Sequence, residues 1–136
     1  MAEIEEALRT YLLTKTALTA LVSTRIYPDF IPPDAAFPCV QYFKVSDIKS
    51  HTHNGQIDLE MPNVQYTAYA TTKAGARAVR DQIKTALCDY SGTLSDVEIA
   101  YITLINALSG AETSADGTQK IFTEDLEFQV VFRRSD

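Results

Sequence analysis

The chain has 136 residues, 46% of them apolar and 22% charged, the proportions of one globular domain rather than a disordered segment. Eighteen acids against twelve bases leave a net charge of -6. This argues against a protein whose main task is to grip nucleic acid, because such affinity comes from cations that displace phosphate counterions.

No stretch approaches the roughly 20 apolar residues that span a bilayer. The opening MAEIEEALRT is acidic and amphipathic and does not read as a secretory signal, so the expected site of synthesis is a reducing cytoplasm without membrane contact. Cys39 and Cys88 belong to no CxxC, and two thiols make no zinc framework. They read as small buried hydrophobes.

In chain order, Ile4, Ala7, Leu8, Tyr11 and Leu12 recur at helical spacing, with Glu3, Glu5 and Glu6 at the positive end of the helix dipole. Thr14 or Thr16 restarts a short second helix through Leu18, Leu21 and Val22. RIYPDFIPPDAAFPC then sets four prolines between Pro28 and Pro38, which predicts an extended connector. Tyr27, Phe30, Ile31 and Phe37 would pack it down.

Cys39 to Ser46 reads as a strand, followed by a polar tip with an Asn54-Gly55 turn. From Ile57 to Tyr69 the apolar phase changes from Ile57, Leu59 and Met61 to Val64, Tyr66 and Ala68. Side chains alternate along a strand, so this predicts a bulge or break near Pro62. Thr72 to Tyr90 is a helix with the stripe Ala76, Val79, Ile83, Leu87 and Tyr90, stopped at Gly92. Val97 to Asn106 is a strand, Ala107 to Lys120 a polar loop, and Ile121 to Arg134 the last strand.

The order α-β-β-α-β-β predicts a single α+β domain over residues 1–136, with a four-stranded antiparallel sheet and helices packed on one face. The segments 47–56 and 107–120 are expected to be mobile in the free subunit and to order on assembly.

A search for chemistry finds no GxSxG, P-loop, GxGxxG or HExxH. His51-x-His53, near Asp47 and Asp58, could place two imidazoles on one side of a strand. The pair sits in a hydroxyl-rich tip without a rigid third ligand, so a solvated turn is the simpler reading. A nucleophile needs a positioned base; both histidines are in that loop, and carboxylate pairs such as Glu124-Asp125 and Glu5-Glu6 are adjacent in sequence and so diverge in regular structure. No catalytic residue, cofactor or metal is assigned. Lys73, Arg77, Arg80 and Lys84 follow spacings of four, three and four, which makes a basic stripe on one helix face. The stripe is either a solvated face or a docking surface for acidic protein.

LRTYLLTKTALTALVSTRIYP, FPCVQYFKVS, HTHNGQ, VQYTAYA leading into TTKAGARAVRDQIKTAL, and DLEFQVVFRR together resemble the tail-completion or tail-terminator proteins of long-tailed, siphovirus-type bacteriophages. The resemblance runs nearly end to end and is weakest from Val97 to Gln119. It implies a non-enzymatic virion protein that forms a ring, typically a homohexamer, at the head-proximal end of the tail. Such a ring stops polymerisation of the tail-tube protein and meets the head-completion or neck protein, while DNA passes without tight binding.

In that setting Lys73, Arg77, Arg80, Lys84, His51, Asn54 and Asp116 are candidate interface residues. Glu98, Asp125 and Glu127, on the polar face of the sheet, are candidates to face the lumen. The alternatives are another neck or baseplate adaptor or, in a different class, a small metal-binding hydrolase centred on His51 and His53.

Overall fold

The computed structural model describes residues 4–32, 35–51, 58–94, 97–113, 117 and 119–134, side chains excepted at 46–51, 58–59 and 134. Three helices and six strands follow in the order α1 (Ile4–Leu13), α2 (Thr16–Val22), β1 (Ile26–Pro28), β2 (Cys39–His51), β3 (Asp58–Ala70), α3 (Lys73–Leu87), β4 (Gly92–Leu94), β5 (Val97–Thr113) and β6 (Lys120–Arg134).

The sheet is six-stranded and mixed, in the order β1-β2-β3-β6-β5-β4. This corrects the expected four-stranded antiparallel sheet and its α-β-β-α-β-β order. The four long strands do form an antiparallel array. However, β1 joins β2 in parallel, pairing Ile26 with Val40, and β4 adds to β5, pairing Gly92 with Ile99. Both additions are three-residue strands, too short for an alternation signal. They cover only one end of each long edge strand.

About half of each of the two expected loops is strand. β2 continues through Asp47 to His51 opposite Pro62 to Asp58, and β5 continues through Ala107 to Thr113 opposite Leu126 to Lys120. Backbone pairing along a long partner strand outweighs their polar composition. The remainder of each expected loop lies mostly outside the described residues.

The expected break near Pro62 is also relocated. β3 pairs with β2 at every residue from Asp58 to Tyr69, and the extra residue is Val45 on β2, between the pairs Lys44–Val64 and Ser46–Asn63. Pro62, Val64, Tyr66, Ala68 and Ala70 are all buried on one face of β3, so the phase does not change where it can be followed.

That face joins the helices. Ile4, Leu8 and Leu12 from α1, Leu18 and Val22 from α2, and Val79, Ile83 and Leu87 from α3 share one core with Val40, Val64, Tyr66, Leu126, Phe128, Val130 and Phe132. Tyr66 packs edge-on against Phe128, with centroids 6.0 Å apart. Neither Thr14 nor Thr16 caps α2, whose N-cap is the extended Lys15. α3 ends at Leu87, before Gly92. Cys88 donates back to the Lys84 carbonyl, and Asp89, in the left-handed region at φ 61°, donates to Ile102 O at 3.0 Å.

Candidate interaction surfaces

α3 starts where Thr72 Oγ1 accepts the Gly75 N–H at 3.0 Å, satisfying one donor of the first turn. A Cβ on Gly75 would lie 2.9 Å from that oxygen, so glycine is what lets the cap close. Ala76, Val79, Ile83, Ala86 and Leu87 turn into the core, which leaves the basic stripe on the opposite side.

The stripe is not uniform. Lys73, Arg77 and Lys84 are exposed, but Arg80 is drawn down to the sheet. Its Nη1 donates to Glu124 Oε1 at 2.8 Å and its Nη2 to Asp81 Oδ1 at 2.9 Å. Glu124 is only 3% exposed and also accepts from Ser109 Oγ at 2.9 Å. The bonds to Asp81, and then to Glu124, raise the Arg80 pKa further. The clamp ties α3 to the β5–β6 hairpin, and Arg80 serves the fold before any partner. Sequence reasoning missed this role of Glu124. The signal was present: Glu124 shares the period-two face of Leu126 and Phe128, where a carboxylate must find a partner.

On the face away from the helices, Asp125 and Glu127 are half-buried. With Gln65, Asn106 and Leu108 they line a shallow cavity of about 40 Å³. Asn63 Nδ2 donates to Glu127 Oε2 at 3.2 Å. Tyr69 Oη donates to Gln41 Oε1 at 3.0 Å, and burial, then Glu112 and Asp125, raise its pKa. Glu98 is at the other end of this face and pairs with Arg133 at 3.3 Å. The structure therefore brings Asp125 and Glu127 together and leaves Glu98 apart, with its charge offset by a neighbour.

Of the candidates in the β2–β3 tip, His51 ends β2 opposite Asp58. Asp47 lies opposite Pro62, while His53, Asn54 and, in the next hairpin, Asp116 lie outside the described residues. Among the described residues no group of three or more His, Cys, Asp or Glu is placed to hold a metal. No helix among them is long and apolar enough to cross a membrane. Both cysteines are free thiols, and burial pushes Cys39 up to about 11.

A second depression, an open groove of about 400 Å³, runs between α1 and β1. It is lined by Glu6, Arg9, Tyr27 and Tyr42 among others. Arg9 Nε there donates to Ile26 O at 2.8 Å, tying the helix to the first strand.

A search of curated proteins finds no match. A chain described as "Virion of native gene transfer agent (GTA) particle" shares the fold, with a TM-score of 0.67, 17% identity, and 97% of this chain and 98% of that one covered. The family model described as "Tail completion protein gp17" matches residues 6–133, nearly the whole of the described fold, and the chain belongs to that family of phage tail completion proteins.

Proposed function

We propose that the protein is a non-enzymatic virion component that assembles as a ring, a homohexamer, on the head-proximal end of a phage tail. There it halts polymerisation of the tail-tube protein and presents a surface to the head-completion or neck protein. The observation that carries this reading is the family match over residues 6–133. The likeness to a chain of a gene transfer agent virion, which spans almost all of both chains, supports it.

Two features of the molecule accord with it. The strongest acid–base constellation, Arg80–Glu124–Ser109, is closed on itself, so its groups are held as structure rather than offered to a substrate. In addition, Asp125 and Glu127 give the open sheet face an acidic patch. Turned toward a channel, that patch would repel phosphate and let DNA slide without being held.

The test is to form tails with and without this chain and measure their lengths by electron microscopy. Capped tails of defined length and six copies by native mass spectrometry are expected. Tails of unchanged length and head attachment without the protein would refute the reading. A salt-sensitive, tight complex with duplex DNA would refute the passive lumen.

A further inference from the structure

The exposed large hydrophobic residues fall at two places only among the described residues: Phe30 and Val45 beside β2, and Tyr101, Ile105 and Leu108 on β5. These are opposite edges of the same sheet. β1 covers β2 only at Val40, Gln41 and Tyr42, and β4 covers β5 only at Val97, Glu98 and Ile99. Asp89 caps the Ile102 carbonyl. Beyond these points, residues 45–51 of β2 and 103–113 of β5 have no strand on their outer side among the described residues. Long edges of this kind, carrying apolar side chains, are templates for strand addition unless something covers them.

The two edges also match in direction. β2 is antiparallel to β3, β3 to β6, and β6 to β5, so β2 and β5 run oppositely. Two copies set side by side in the same orientation therefore bring β5 of one antiparallel to β2 of the next, the pairing that already builds the array. The free stretches lie toward opposite ends of the sheet, so neighbours must be staggered along the strands. A closed ring of tilted strands accommodates such a stagger, as a barrel does. An isologous contact would use one edge twice, whereas two different complementary edges give the head-to-tail interface that a ring requires.

We infer that the β5 edge of one subunit takes the β2 edge of the next by antiparallel strand addition, residues 103–113 of β5 running along residues 45–51 of the neighbour's β2. The inference rests on the ring reading above and names the surfaces that close the ring.

The test uses the full chain with Val45→Lys or Ile105→Lys, with Leu108→Lys as a second β5-edge variant. All three positions are exposed, and each variant's fold is checked by circular dichroism. Each variant alone should remain monomeric by native mass spectrometry under conditions where the unchanged protein forms rings. A mixture of the Val45→Lys and Ile105→Lys chains keeps one intact pair of edges, so it should form heterodimers and nothing larger. Folded variants that still form rings, or a mixture that stays monomeric, would overturn the edge pairing while leaving the ring reading intact. Unchanged protein that forms no ring, alone or with tail tubes, would overturn both.

Discussion

The two halves of β5 share a partner strand but not an environment. From Val97 to Leu104 the strand lies under the helices, with Val97, Ile99 and Ile102 buried. From Ile105 to Thr113 every side chain is exposed, although β6 pairs with this half as continuously as with the first. Bulges at Ala100 and Ile105 divide the strand, each leaving two β5 residues opposite one β6 step. Backbone pairing can thus carry a strand well beyond the core that stabilises it. What the outer half gains is an edge and a surface rather than buried area.

The largest expected effect contrasts the halves directly. Phe128, opposite Leu104, is fully buried, whereas Leu108 is 60% exposed. Phe128→Ala should cost about 3–5 kcal/mol, since it removes transfer free energy and leaves a cavity. Leu108→Ala should stay within about 0.5 kcal/mol in the isolated subunit. Urea titrations of both variants measure the difference. Similar losses would mean that the outer half is part of the core.

The second effect concerns the clamp that joins the halves. Arg80→Ala leaves the buried Glu124 with only its Ser109 bond. Breaking a fully buried pair costs several kcal/mol. Arg80 keeps 28% of its side chain exposed, so about 1–3 kcal/mol is expected here. Amide exchange should rise in 105–113 more than in 97–104. A uniform rise would show that the clamp does not specifically anchor the outer half.

How much of this was legible follows from the same contrast. α3 and β6 could be read because each carries its own pattern: Ala76, Val79, Ile83 and Leu87 on one side of a helix, and Leu126, Phe128, Val130 and Phe132 on one face of a strand. Composition alone made ALSGAET a loop, because its strand character comes from β6 and not from its own side chains. Ile26–Pro28 and Gly92–Leu94 were invisible for the same reason. The apolar pattern of β3 carries no sign of the bulge, because the extra residue, Val45, belongs to the partner strand. Helical spacing puts Lys73, Arg77, Arg80 and Lys84 along one side of α3. That Arg80 leaves it for Glu124 depends on a contact across 44 positions, which helical spacing does not reveal.

A third, smaller effect concerns the covered half at high pH. Burial, only partly offset by Arg25, pushes Cys39 from 9.0 to about 11. Between those values the unfolded chain has released a proton that the folded chain retains. The unfolded state then binds fewer protons, so stability falls as pH rises through this window. Cys39→Ala should flatten that slope, leaving the contributions of Cys88, Tyr42, Tyr66, Tyr69 and Tyr90, which burial also raises. An unchanged slope in unfolding titrations across the window would show that the thiol is better solvated than its burial implies.

The smallest effect on the isolated fold belongs to the basic stripe, and it separates folding from assembly. Reversing Arg80 would confuse the two, because Arg80 holds Glu124. Lys73, Arg77 and Lys84 are exposed on α3, so Arg77→Glu with Lys84→Glu should change stability by less than about 0.5 kcal/mol. We propose that these cations lie near acidic groups of the adjacent subunit or of the tail tube. Exposed pairs contribute only about 0–1 kcal/mol each, and such contacts set register and partner choice more than they hold a ring together. The double variant should therefore assemble more slowly and with stronger salt dependence while unfolding at the same temperature as the unchanged chain. Tail capping at the normal rate across salt concentrations would assign the stripe to solvent and leave the sheet edges as the surfaces that join one copy to the next.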